Sequence, residues 1–379
     1  MSGTIHAILS ASSSHRWLHC TPSVSLEQCF EAETSVFAEE GTAAHELSEH
    51  KLRKFLKIKS RKPKSEFHCD EMEEYTDVYV NFAIELITKV RQNCKDLIVL
   101  IEQRLDFSNY VPEGFGTGDL VIVADKTLYI VDLKYGKGVE VSAEENPQMM
   151  LYALGALNLF EALYDIETVN MTIVQPRLES ISTYEIEVNE LITWAEIELK
   201  PKAELAINGE GEFAPGEHCR FCRARATCRA RSESFLDLAR FEFKMPDLLT
   251  DSEIEDVLSL ADQLSKWAAD IYTYATEKAI NEGKEWTGYK LVEGRSNRKY
   301  SDETAVVEAV TNAGYKDIYK KTLLGITDME KLLGKKNFET ILGNLIEKPK
   351  GKITLVSESD KRKPIKLDNT AKTDFKEEV

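Results

Sequence analysis

No stretch of the 379 residues stays apolar long enough to span a bilayer, and the N-terminus lacks the basic-then-apolar pattern of a secretory signal. A cytoplasmic protein without membrane segments is therefore expected. Positive charge is scarce: 48 Lys and Arg face 65 Asp and Glu, a net charge of −17 at pH 7. That balance excludes a general non-specific nucleic-acid coat, because phosphate binding is driven by Lys and Arg releasing counterions. Cysteine is sparse too, and seven in a reducing compartment do not make a disulfide framework. The chain has no internal repeat and no Gly-x-x-x-x-Gly-Lys-Ser/Thr, so ATP-driven unwinding is not built into it. What remains, 42% apolar and 30% charged, is ordinary for a globular protein, and the length allows two or three domains.

The few basic residues gather, in LRKFLKIKSRKPK at 52–64, CRFCRARATCRARS at 219–232 and KDIYKKT at 316–322. This predicts a patchy surface, acidic outside and basic along a groove.

Chemistry concentrates at residues 116–155. Gly118-Asp119 opens the apolar run LVIVA, the turn-like Asp125-Lys126 bounds it, and TLYIVDLK follows, which predicts a mostly buried β-hairpin. Asp132 and Lys134, two apart on the second strand, share a face. Burying them bare is costly, and Asp119 on the neighbouring strand brings a second carboxylate to the same spot. Hard oxygen ligands with open positions suit Mg²⁺, which binds phosphate oxygens and activates water, while an adjacent lysine offsets developing negative charge. A salt-bridged structural hairpin is the plainer alternative. A helix over about 143–159 would carry Gln148 and Tyr152, spaced i, i+4, on one face.

Cys219, Cys222 and Cys228 are too closely spaced for unrelated buried thiols, and metal ligation is the economical account. Zinc would take His218 or Cys20 as a fourth ligand, whereas an iron-sulfur cluster takes four thiolates. Cys29, Cys69 and Cys94 are expected to be ordinary thiols.

Elsewhere, the patterning predicts helices over 35–57 and 70–95, the second burying Tyr75, Val78, Phe82, Leu86 and Val90. A loop is expected over 58–69, a strand over 97–105, two strands over 167–178 and 180–188, the latter pair joined near Arg177, and an amphipathic helix over 189–208. Helices follow over 232–282, a short hairpin with a basic tip over 283–300, and small helical units over 302–313 and 327–346. The charged tail from 357 to 379 is expected to be disordered.

Gly116 to Asp119 (Gly-x-x-Asp), Asp132 to Lys134 (Asp-x-Lys) and Gln148 to Tyr152 (Gln-x-x-x-Tyr), in this order, resemble the RecB-type branch of the PD-(D/E)XK nucleases. Gly41-Thr42-Ala43-Ala44-His45 is similar to that family's first motif, and Cys20-Thr21-Pro22 after a Ser-rich start is similar to the N-terminal cysteine of its AddB-like members. The resemblance implies an α/β fold: a restriction-endonuclease-like core with a mixed central sheet flanked by helices and a mainly helical C-terminal accessory region. The expected divisions are a nuclease domain at 1–232, an accessory domain at 233–356 and the tail at 357–379. It also implies one or two Mg²⁺ or Mn²⁺ ions held by Asp119 and Asp132 with His45 and the Leu133 carbonyl. Lys134 would orient water, and Gln148 and Tyr152 would steady the strand ends and a phosphate. Glu102 sits where relatives carry an acidic residue, facing the metal or paired structurally. Cys20, Cys219, Cys222 and Cys228 would hold a [4Fe-4S] cluster, with zinc as the alternative. The implied activity is hydrolysis of DNA phosphodiesters from ends, as in phage recombination. The implied partners are DNA, further copies of the chain, and a separate helicase, single-strand-binding or annealing protein. The rival expectation is a non-catalytic DNA-binding or assembly protein on the same fold.

Overall fold

The computed structural model describes residues 7–30, 35–94, 96–239 and 251–291, together with Gly334 and Phe338. At its centre lies a five-stranded mixed sheet in sequential order: β1 Ile98–Asp106, β2 Phe115–Ala124, β3 Thr127–Leu133, β4 Thr168–Gln175 and β5 Ser180–Glu187. β1 to β3 form an antiparallel meander, β3 and β4 run parallel, and β5 returns antiparallel. Parallel neighbours need a crossover, and α5 (Pro147–Phe160) lies within it. The other helices are α1 Ser14–His19, α2 Ser23–Glu27, α3 Val36–Phe55, α4 Asp70–Asn93, α6 Val188–Trp194, α7 Lys200–Asn208, α8 Arg229–Ala239 and α9 Asp251–Asn281.

β2 and β3 are apolar at nearly every position because both sheet faces are covered. On one face Val121, Val123, Leu128 and Ile130 pack with α5; on the other Leu120, Ile122, Val131 and Leu133 pack with Tyr79, Ala83 and Ile87 of α4. α5 is apolar around its circumference and accordingly buried. It begins at Pro147, not Ala143, because the Asn146 side chain accepts from the N–H groups of Gln148 and Met149, and proline fits the first helical position. Gly155 lets α5 sit hard against β1: a Cβ there would lie 2.8 Å from the Leu105 Cβ.

Two sequence expectations are corrected here. The buried stripe of α4 runs through Met72, Thr76, Tyr79, Val80, Ala83, Ile87 and Val90, while Val78 is exposed. Thr76 and Ala83 are fully buried, and Thr76 satisfies its hydroxyl on the Met72 carbonyl. The single helix over 189–208 is instead α6 and α7 joined by a π turn at Ala195–Leu199, just before Pro201, which has no N–H to donate. β4 ends at Gln175, and Pro176–Leu178 forms a 3₁₀ turn closed by Glu179 at φ 51°.

The chain divides into two compact units, Met1–Glu282 and Gly283–Val379. In the second, residues 283–291 contain a turn at 287–288 and no strand. The remaining hairpin residues 292–300, the basic run 316–322 and the tail 357–379 lie outside the described residues, as do the expected helical units at 302–313 and 327–346 apart from Gly334 and Phe338. Among the described residues no helix is long and apolar enough to cross a membrane.

Candidate metal centre and the cysteine cavity

The register of β2 on β3 places Asp119 and Asp132 opposite each other, one step beyond the last ladder pair, Leu120 with Val131. Both carboxylates are buried. One Asp119 oxygen accepts from the Leu133 N–H at 2.7 Å, and the other lies 3.2 Å from His45 Nδ1 on α3. Lys134 Nζ stands 2.9 Å from Asp132 Oδ2 and donates to Gln148 Oε1 at 2.8 Å. Gln148 Nε2 donates to Asp132 Oδ1 at 3.3 Å and to the Tyr152 hydroxyl at 3.0 Å. One amide of α5 thus orients the acid and the amine at the end of β3 and a phenol one turn along its own helix. Gly116 makes the arrangement possible, since a Cβ there would meet the Tyr152 ring at 2.6 Å.

Glu102 completes a second side of the centre. His45, Glu102 and Asp119 each offer a ligand atom, all within 4.8 Å of one another. Glu102 has φ 52°, a left-handed conformation that costs a side-chain-bearing residue on the order of 1–3 kcal/mol. Its kink breaks the strand's alternation: Ile98 and Leu100 before it and Leu105 after it all pack into the α5-side core. The ladder keeps its register across the kink, so Glu102 stays opposite Asp119. Nothing in the sequence announces this conformation. Tyr79 of α4, a residue the sequence does not single out, also lines the pocket, and its hydroxyl has no hydrogen-bond partner among the described residues.

Electrostatics mark the same groups. Burial alone would lower the His45 pKa, but the Asp119 carboxylate, with Asp132 and Glu102 behind it, raises it to about 9. Burial, then the charge of Asp119, pushes Glu102 up to about 8. Burial also opposes ionisation of Asp119, yet His45 and the Leu133 N–H hold its pKa below the ordinary value. At Asp132 burial wins over the partial relief from Lys134, so its pKa is raised. The donor set fits a hard divalent ion: crowded carboxylates raise one another's proton affinity until a cation joins them, and the one cation at Asp132 Oδ2 is the Lys134 ammonium at 2.9 Å.

Cys20, Cys219, Cys222 and Cys228 line one cavity, with Arg16, Arg225 and Arg231 around them. The N-terminal segment is fastened there: Arg16 pairs with Glu27 at 2.6 Å, Glu27 accepts from the Arg223 N–H at 2.7 Å, and Thr21 donates to the Glu210 carbonyl at 2.6 Å. Burial raises the thiol pKa of Cys219, and that of Cys222 to about 12.

Arg177, expected only at a turn end, is buried, pairs with Glu40 of α3 at 2.9 Å and lies 4.8 Å from the Tyr135 ring, tying α3 to the end of β3. The expectation of a basic groove is not met. The cleft reaching Lys134 and Gln148 carries more carboxylates than cationic side chains. The reason is local pairing: Arg225 and Arg231 engage Asp270 of α9, while Lys62 engages Glu73.

Sheet, helices and clustered acids define an α/β protein with a buried acidic centre beside a single lysine. The model of a family described as a protein of unknown function, DUF2800, matches residues 6–363, and the chain belongs to that family. Among solved structures it is similar to SSO0001, at 15% identity over 57% of this chain and 96% of that one, with a TM-score of 0.23, a likeness too slight to assign the fold.

Proposed function

We propose that this protein is a metal-dependent DNA nuclease with a PD-(D/E)XK core, hydrolysing phosphodiesters at DNA ends. The observation that carries most weight is the convergence of Asp119, Asp132 and Lys134 at adjoining strand ends, with Gln148 bonded to both Asp132 and Lys134. Asp119, Asp132, His45 and the Leu133 carbonyl would hold Mg²⁺ or Mn²⁺, and Glu102 joins this set by its proximity. The ion, when bound, supplies Lewis-acid activation of water and of the scissile phosphate. Lys134, freed from part of its attraction to Asp132, orients the attacking water and offsets charge developing on the phosphoryl oxygens. Gln148 fixes the lysine amine, so little reorganisation is left to the reaction itself. Tyr152, buried and held by Gln148, keeps α5 in register with the strand ends.

Cys20, Cys219, Cys222 and Cys228 would hold a [4Fe-4S] cluster whose ligation energy closes the N-terminal segment onto the region after α7. Incubation of end-labelled linear DNA with protein and Mn²⁺ tests the proposal. Wild type should shorten the label while Asp132→Ala and Lys134→Ala leave it intact; equal persistence of the DNA in all three, across metals and substrate forms, would rule the activity out.

A further inference from the structure

Three of the chain's seven histidines meet on the wall of the cleft that also reaches Lys134 and Gln148. His15 and His19 lie one turn apart on α1, with ring centroids 4.7 Å apart. His218, from the 3₁₀ turn Glu217–Phe221, stacks 5.3 Å from His19 and stands 6.3 Å from His15. Three imidazoles bound to one ion at ordinary metal–nitrogen lengths have centroids about 5 Å apart, so the His15–His19 and His19–His218 spacings are near those of a three-histidine centre, while His15 and His218 stand wider.

The outward hydrogen bonds have the pattern metal-binding histidines show. His19 Nδ1 donates to the His15 carbonyl at 2.6 Å, leaving Nε2 as the free ligand atom. His218 Nε2 donates to the Ala214 carbonyl at 2.8 Å, leaving Nδ1 free. A backbone carbonyl fixing the tautomer in this way is the usual second partner of a ligating imidazole. Gly216 leaves the His218 nitrogen uncovered, because a Cβ there would come within 3.0 Å of Nδ1. Glu217 lines the same wall, within a cleft whose carboxylates outnumber its cationic side chains.

We infer that His15, His19 and His218 form a site for a borderline divalent transition ion such as Zn²⁺, separate from the carboxylate centre and bordering the cysteine cavity that His218 also lines, with a fourth position open to the cleft. Imidazole nitrogens favour such ions over Mg²⁺. The three ring nitrogens are wider apart than 4.8 Å, so binding turns the two exposed rings, a motion about the broad terminal torsion of histidine. An open fourth position on three protein ligands leaves room for water or an anionic oxygen.

Calorimetric titration of the full chain with Zn²⁺, its cysteine centre occupied as purified, tests the site. Wild type should show a zinc site that is weakened about tenfold or more in His15→Ala and in His19→Ala and lost in the double variant, yet kept in Asp119→Asn. Co²⁺ in that site should give d–d bands without thiolate-to-metal charge transfer. Zinc binding unchanged in the double variant, no zinc binding by wild type, or a Co²⁺ spectrum with thiolate charge transfer that disappears in Cys219→Ser would each overturn it. His15 and His19 are exposed on a short helix, so the alanine variants should keep the thermal transition of wild type.

Discussion

The Asp119 carboxylate accepts a hydrogen bond from the main-chain N–H of Leu133 at 2.7 Å, so an acidic side chain of β2 continues the pairing of β3 where the ladder stops. One oxygen is thereby spent on orientation, and the other stands towards His45 and Glu102. Asp119→Asn can keep an acceptor for that N–H while losing the charge. Below pH 6.5 thermal stability should fall, because protonated His45 loses its partner, while Mn²⁺ affinity falls at least about tenfold. Calorimetric titration of both proteins measures the difference, and equal affinities would remove Asp119 from the ion's surroundings.

Proton linkage has a definite sign. In the metal-free protein His45 (about 9) and Glu102 (about 8) both hold protons more tightly than in an unfolded chain, where histidine and glutamate titrate near 6.5 and 4.5. The folded state therefore binds extra protons over these intervals, and stability falls as pH rises from about 4.5 through 9. The His45–Asp119 contribution is fully present below 6.5 and lost as pH rises through about 9. A divalent ion displaces the same protons, so its affinity should climb with pH up to about 9. Calorimetry in buffers of different ionisation enthalpy should report proton release on Mn²⁺ uptake, and heat independent of buffer would contradict the assignment.

The three motifs on β2, β3 and α5 are legible in the sequence because strand and helix periods alone bring Asp119, Asp132, Lys134, Gln148 and Tyr152 to one region. A mixed sheet flanked by helices is legible for a similar reason, since short apolar runs alternate with turn residues, whereas the strand order comes from the structure. Glu102 is different. Its left-handed backbone is a tertiary imposition, and no local preference of glutamate points to it. The α4 stripe is misjudged because Val78 looks like core by hydropathy, whereas close packing favours the small Thr76 and Ala83. The cleft histidines are invisible to spacing, since His218 lies about two hundred residues from its neighbours in the stack.

Lys134→Met leaves Asp132, only 2% exposed, facing no amine. Metal-free stability should fall by about 2 kcal/mol at pH 7. The double variant Asp132→Asn with Lys134→Met should recover most of that loss without recovering DNA cleavage. Urea unfolding of the three proteins checks the first half and the end-label assay the second.

Gly116→Ala drives a methyl group into the Tyr152 ring, where the gap is 2.6 Å. Overpacking of this kind costs about 1–3 kcal/mol, and the displaced phenol should loosen Gln148 from Asp132 and Lys134. Cleavage should fall with it. In a Tyr152→Ala background Gly116→Ala should cost almost nothing further, and an undiminished cost there would locate the strain elsewhere.

Arg16→Met removes the cation beside Glu27, which also receives the Arg223 N–H. The N-terminal fastening should loosen and the iron content of anaerobically purified protein should drop, as measured by metal analysis. Unchanged iron would show that Cys20 is held without it.

Anomalous diffraction from crystals soaked in Mn²⁺ locates the ion itself. A peak is expected between the carboxylates of Asp119 and Asp132, beside the Leu133 carbonyl. A Mn²⁺ peak elsewhere with that position empty, or no bound ion at millimolar Mn²⁺, would contradict the metal-centre assignment.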